Sequence, residues 1–203
     1  MTTTTTVLVL LVTLVVISST SSAGATSGPS WITINPFTSL DCTSNQGVGY
    51  GLPVNTCFIY QWDNYVLVST DPHHPDNITV SYYNNQNCTG LIATDKYPLG
   101  QCTRINFDQS GSEFAIINTG ANYPVDSIQY AFFYQEDDSC GGANYTTFYT
   151  DNLKVDGRLY QCVDGYPIIS QCSDQAQSQG GCQPIPWTGC IPGSQGGPGI
   201  YSC

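Results

Sequence analysis

Ten cysteines carry the clearest chemistry in this sequence: Cys42, Cys57, Cys88, Cys102, Cys140, Cys162, Cys172, Cys182, Cys190 and Cys203. An even set with no thiol left over pairs as disulfides in an oxidising compartment. The alternatives fail on spacing. No C-x-x-C occurs in the chain, and zinc ribbons and thioredoxin-type redox pairs both rest on that spacing. A catalytic cysteine would leave an odd thiol. All ten are therefore expected in bridges.

Other reactive groups are sparse. The two histidines sit together in Asp71-Pro72-His73-His74-Pro75-Asp76. Adjacent side chains in a segment stiffened by two prolines point apart, so His73 and His74 predict a solvated turn and not a metal site. Glu136, Asp137 and Asp138 could offer oxygen ligands to calcium, but the D-x-D-x-D-G order of a dedicated loop is missing. A polar turn is the better reading. No G-x-S-x-G elbow, H-E-x-x-H pair or phosphate-cradling loop is present. A carboxylate pair needs only two acids about 5–9.5 Å apart, so a small hydrolase using Glu113, Glu136 or any of the aspartates stays open as an alternative. The expectation is a non-enzymatic protein without a cofactor.

Two further patterns point to sugar. Asn77-Ile78-Thr79, Asn87-Cys88-Thr89 and Asn144-Tyr145-Thr146 are N-glycosylation acceptors if the chain enters the secretory pathway. Asn144 follows a Gly141-Gly142-Ala143 loop and is the best placed, whereas the neighbouring Cys88 hinders Asn87. Trp62, Tyr65, Tyr97 and Trp187 lie among Asn, Gln and Asp, as do Tyr82 and Tyr83. Flat rings beside amides and carboxylates suit sugar stacking, which keeps a lectin-like module as a second reading. Packing between sheets is the more common use of such rings.

Positioning these groups requires strands. Residues 31–34, 57–61, 65–69, 77–83, 113–117, 127–134, 145–149 and 158–163 are β-branched or aromatic, and several alternate apolar with polar residues. Val66-Leu67-Val68 is continuously apolar, as for a strand buried on both faces. No segment after the N-terminus sustains helical periodicity, and proline, glycine and asparagine interrupt each long stretch. The prediction is an all-β fold, an antiparallel sandwich or open barrel, stapled by disulfides.

Boundaries follow from composition. Val7 to Ile17 is aliphatic except for Thr13 and leads through small polar residues to Ala23-Gly24-Ala25. That is the pattern of a signal peptide cleaved after Ala25, and the apolar run is too short to span a bilayer. Residues 26–30 read as a flexible lead-in and 31–165 as the β-rich domain. Residues 166–203 read as a small cysteine-rich tail, or equally as a bridged wrap around the main sheet. The C-terminus lacks the hydrophobic tail of a lipid-anchor signal, so no membrane anchor is expected. Fifteen acids against four bases give a net charge of −11. Binding to nucleic acid is disfavoured, because it draws on clustered Lys and Arg.

The cysteines recur in a pattern. Three times an apolar run leads through a polar turn to a cysteine, a loop and a second cysteine: residues 31–57, 78–102 and 128–162. Local closure predicts Cys42–Cys57, Cys88–Cys102 and Cys140–Cys162, with Cys172–Cys182 and Cys190–Cys203 as neighbouring pairs. The arrangement Ser81-Tyr82-Tyr83-Asn84, Asn87-Cys88-Thr89-Gly90 and Tyr97-Pro98-Leu99-Gly100-Gln101-Cys102 resembles segments in small secreted cysteine-rich glycoproteins of cellular slime moulds. The resemblance covers residues 78–102 and implies an extracellular glycoprotein without a defined activity. The expected partners are an extracellular protein or a glycan, in a matrix, coat, adhesion or secreted-factor role.

Overall fold

The computed structural model describes residues 30–60, 64–71, 73–107, 112–134, 140–172, 181–186, 189–191 and 198–203. In chain order the strands are β1 (Trp31–Phe37), β2 (Val48–Pro53), β3 (Cys57–Tyr60), β4 (Asn64–Asp71), β5 (His74–Tyr83), β6 (Leu91–Pro98), β7 (Cys102–Arg104), β8 (Phe114–Thr119), β9 (Ile128–Phe133), β10 (Asn144–Tyr149), β11 (Leu153–Val155), β12 (Arg158–Val163), β13 (Tyr166–Cys172), β14 (Cys182–Ile185) and β15 (Gly199–Ser202). Every segment expected to be a strand falls on one of them. No helix occurs among the described residues.

The strands form three antiparallel sheets, in the orders β15-β9-β10-β2-β1-β8-β7, β3-β4-β5-β6 and β11-β12-β13-β14. The first two face each other as a sandwich, and the open-barrel alternative gives way to it. Alternation explains the packing. Ile32, Ile34 and Ile117 from one sheet meet Phe58, Val66, Val68, Ile78 and Val80 from the other in a single buried cluster. Aromatic rings fill the wider gaps. Tyr50, Tyr60 and Phe107 pack at centroid distances of 4.7–5.9 Å, and Phe58 lies 5.5 Å from Tyr145. A smaller core of Ile128, Tyr160 and Ile169 joins the long sheet to β12 and β13. Tyr149 and Tyr160 stack there at 3.8 Å.

Burial on both faces, expected for Val66–Val68 in β4, is found instead in β1 and β2. Ile32 to Phe37 are all buried, whereas Leu67 points outward from β4 and is half-buried. The far side of the long sheet is covered by the loop between β8 and β9. Thr33 Oγ1 accepts from Asn122 N at 3.1 Å, and Tyr123 packs edge-on against Phe148 at 5.4 Å. Gly49 and Gly51 permit this closeness. A Cβ at Gly49 would meet the Phe148 ring, and one at Gly51 would meet Tyr123. These glycines also explain why Val48–Pro53 lacked the signature of a strand.

Residues 166–203 contribute strands to two sheets: β13 and β14 complete the third, and β15 pairs with β9 at one edge of the first. Tight hairpins frame β12. Asp156-Gly157 and Asp164-Gly165 all adopt positive φ, the geometry of two-residue turns between twisted strands.

The bridges correct the local-closure expectation. Cysteines pair as Cys42–Cys102, Cys57–Cys88, Cys140–Cys190, Cys162–Cys203 and Cys172–Cys182. None is free. Only Cys172–Cys182 is the expected neighbour pair, and Cys42–Cys57, Cys88–Cys102, Cys140–Cys162 and Cys190–Cys203 do not form. The first two repeats are instead cross-linked to each other, with Cys57–Cys88 nested inside Cys42–Cys102. The third is tied to the C-terminal segment. The reason is topological. The chain leaves the long sheet after β2 and enters the second sheet at β3, so Cys42 and Cys57 end on different layers. The repeat itself is real at the level of the turn. Cys42 and Cys88 both adopt left-handed φ, +50° and +47°, and each donates its N–H to the carbonyl three residues earlier, Ser39 or Asn85.

Candidate interaction surfaces

The outer face of the β3–β6 sheet carries half-buried aromatics beside exposed aliphatic side chains. Because Phe58, Tyr60, Val66, Val68, Ile78 and Val80 point into the core, the intervening residues point out. Register then places Ile59 beside Tyr65, Tyr65 beside Tyr83, and Tyr83 beside Leu91. This outward row crosses all four strands. Ile59, Tyr65 and Tyr83 are half-buried, and Leu91 and Ile92 at the β6 edge are 58% and 60% exposed.

The loop between β5 and β6 borders this row. Cys57 points outward from β3, so its bond to Cys88 draws residues 84–90 back over the sheet. Asn85 organises the loop internally. Its Oδ1 accepts from Asn87 N at 3.2 Å, Thr89 N at 3.0 Å and Thr89 Oγ1 at 3.1 Å. One short polar side chain thereby fixes the turn that carries a sequon. Asn87 is exposed, and Asn77 and Asn144 are half-exposed at strand positions.

Tyr97 departs from its expected role. Its ring is 4% exposed and belongs to the core, and its hydroxyl accepts from Asn106 N at 3.2 Å. No ring face is left for a sugar. Burial pushes its ionisation up to about 12. Trp62, Trp187, Glu136, Asp137 and Asp138 lie outside the described residues, as does the leader, residues 1–25.

The histidine turn is held by a carboxylate. Asp71 Oδ1 accepts from His73 N at 2.8 Å, and this bond holds the exposed Asp71 carboxyl below its usual range. His73 and His74 are exposed. Among the described residues no group of three His, Cys, Asp or Glu could hold a metal ion. Glu113 pairs with Arg104 at 3.7 Å on the surface. Asp41 is likewise held low, by the hydroxyls of Ser39 and Thr43. A general acid in a carboxylate pair needs the opposite displacement.

One cavity was not visible in the sequence. It opens between the loop after β1 and strand β11, and gathers Thr38, Gln46, Ser112 and Lys154 around an apolar wall. These residues are far apart in the chain and share no motif, so only the packing of the third sheet against the first brings them together.

The architecture defines the class: an antiparallel β-sandwich whose loops are bolted to its faces by disulfides. Within that class the sequence is specific. The chain belongs to the counting factor-associated protein A/B/C family, a slime mould family whose model matches residues 2–203. No curated protein and no solved structure matches it.

Proposed function

We propose that this chain is a secreted, N-glycosylated, non-enzymatic protein that works by association with counting factor, an extracellular protein assembly. The observation that carries the reading is the family match over residues 2–203. Five disulfides with no free thiol support an oxidising, extracellular location. The outward row around Tyr65 and Tyr83 supplies aromatic area suited to a protein contact, and the sequons at Asn77, Asn87 and Asn144 supply glycan sites.

The test is co-purification of the tagged full chain with counting factor from conditioned medium. The expected result is release into the medium without residues 1–25, followed by co-elution with counting factor on size exclusion. Retention inside the cell with the leader attached would overturn the location. Elution as a lone chain at any concentration would overturn the association.

A further inference from the structure

The sequon at Asn87 sits in a loop that works against its own modification. Its acceptor triplet is Asn87-Cys88-Thr89, and the pattern requires a hydroxyl two residues beyond the asparagine. An enzyme that reads the triplet must therefore reach the Thr89 hydroxyl. In the folded loop that hydroxyl donates to Asn85 Oδ1 at 3.1 Å, and the Thr89 N–H donates to the same atom at 3.0 Å. The Thr89 carbonyl accepts from Asn85 Nδ2. Between Asn87 and Thr89, Cys88 is held at φ +47°, a conformation uncommon for a residue with a side chain, and is bonded to Cys57 on β3.

Asn87 itself is spared. It is exposed, and its backbone N–H is the group that Asn85 holds. The matching turn around Cys42 shows the difference. There Asp41 stands at the position of Asn87, and its Oδ1 accepts from Thr43 Oγ1 at 2.9 Å. Around Cys88 that acceptor role has moved to Asn85. A sugar on the Asn87 amide leaves the Asn85 network in place, whereas an enzyme seizing Thr89 must break it. The folded loop accepts the product but not the reaction.

We propose that Asn87 is glycosylated only before the Cys57–Cys88 bond forms, so that the order of two covalent steps decides its occupancy. The inference rests on the secreted, N-glycosylated reading above. In one step the Asn87 amide nitrogen attacks the anomeric carbon of an oligosaccharide carried on a polyprenyl diphosphate. A C–N bond forms, the C–O bond to the diphosphate breaks, and the amide gives up one proton as the lipid diphosphate leaves. In the other step the thiols of Cys57 and Cys88 give up two protons and two electrons to an oxidant disulfide, which departs as a dithiol. Both thiols are present as soon as the triplet is complete, since Cys57 precedes it and Cys88 is its middle residue. The other two sequons carry no such clasp. Asn77 and Asn144 lie on β5 and β10, and neither Asn77-Ile78-Thr79 nor Asn144-Tyr145-Thr146 contains a cysteine. Their windows close with the sheets instead.

Site-by-site glycan occupancy, measured by mass spectrometry on the full chain from cells and medium together, tests the order. Cys57→Ser leaves the triplet intact. The double variant Cys57→Ser/Cys88→Ser also removes the spare thiol while keeping an acceptor pattern. Asn87 should pass from partial or no occupancy in the native chain to full occupancy in both variants, with Asn77 and Asn144 unchanged. Counting retained and released chains together lets a variant that folds poorly still report. Native molecules that do carry the Asn87 glycan should keep the Cys57–Cys88 bond in a non-reducing peptide map. Full occupancy of Asn87 in the native chain, or occupancy that neither variant raises, would overturn the proposal. So would an equal rise at all three sequons, which would mean slower folding in general, or glycan-bearing native molecules that lack the bond. No glycan at any sequon in any variant would overturn the glycoprotein reading along with it. Glycans at Asn77 and Asn144 with Asn87 unmoved would overturn this inference alone.

Discussion

Cys57 and Cys88 are bonded across the outer face of the β3–β6 sheet, with Cα atoms 5.9 Å apart and a sequence separation of 31. The bond fastens a loop to a sheet without shortening either. The outer bond, Cys42–Cys102, spans 60 residues and ties β7 to the loop after β1. Together they hold both layers of the sandwich in one covalent ring. Such bracing suits a protein with four cations and fifteen acids, whose like charges repel one another in the compact state.

Non-reducing peptide mapping should recover fragments joining Cys42 to Cys102 and Cys57 to Cys88. Loop-closure entropy gives each bond a calculable contribution. Replacing Cys57 and Cys88 by Ser should cost about 3.7 kcal/mol, and replacing Cys42 and Cys102 about 4.3 kcal/mol, in denaturant unfolding. Fragments joining Cys42 to Cys57 would contradict the nested arrangement.

Asn85 should be the keystone of its loop and of little else. Asn85→Ala removes the acceptor shared by Asn87 N, Thr89 N and Thr89 Oγ1. Hydrogen exchange at the Thr89 amide should rise about tenfold, while global stability changes by less than about 1 kcal/mol, since water can replace exposed bonds. A cooperative loss of the whole fold in Asn85→Ala would show that the loop is part of the main folding unit.

Apart from β1, which is buried on both faces, the strands that were legible in the sequence are mostly those with alternating apolar and polar residues. Ile78 and Val80 alternate with Thr79 and Ser81, and the period of two is explicit. Three kinds of strand were not legible. Val48–Pro53 carries glycines because aromatic rings occupy the space of their side chains. Leu91–Pro98 lies at a sheet edge with little burial, and its Ala, Thr, Asp and Lys read as a loop. Tyr166–Cys172 and Gly199–Ser202 adjoin stretches rich in Gly, Gln and Pro, so their composition was averaged away. Disulfide partners were the least legible of all. Spacing reports proximity along the chain, whereas bonding reports proximity in space, and the crossing from β2 to β3 separates the two. The cavity lined by Thr38 and Lys154 escaped for the same reason.

Gly51 should resist even the smallest side chain. The Tyr123 ring occupies the position of its absent Cβ, and that ring also packs on Phe148. Gly51→Ala should cost about 1–3 kcal/mol, as overpacking does in other cores. Gly100→Ala is the instructive comparison. No atom lies near its Cβ position, but φ is +67°, so the cost should be backbone strain of about 1–2 kcal/mol with no effect on packing. Thermal unfolding of the two variants, read beside near-ultraviolet circular dichroism, separates the cases. Only Gly51→Ala should alter the tyrosine signal.

The buried tyrosines make the fold sensitive to alkali. Burial raises the ionisation of Tyr60, Tyr82 and Tyr97, in the last case to about 12. An unfolded tyrosine titrates at about pH 10, so above that point the unfolded chain releases protons that the folded chain retains. Stability is therefore intact below about pH 10 and falls as pH rises. Each protected tyrosine adds a slope of up to about 1.4 kcal/mol per pH unit. For Tyr97 the fall is complete near its folded value, about 12. Urea midpoints measured against pH should show this decline, and tyrosinate absorbance should lag behind that of the denatured protein. Tyr97→Phe removes one ionisation and should make the slope shallower by one proton. At neutral pH it should cost about 1 kcal/mol, through loss of the bond from Asn106 N. Midpoints that stay level up to pH 12 would mean these hydroxyls are open to water, and that the two sheets do not enclose them.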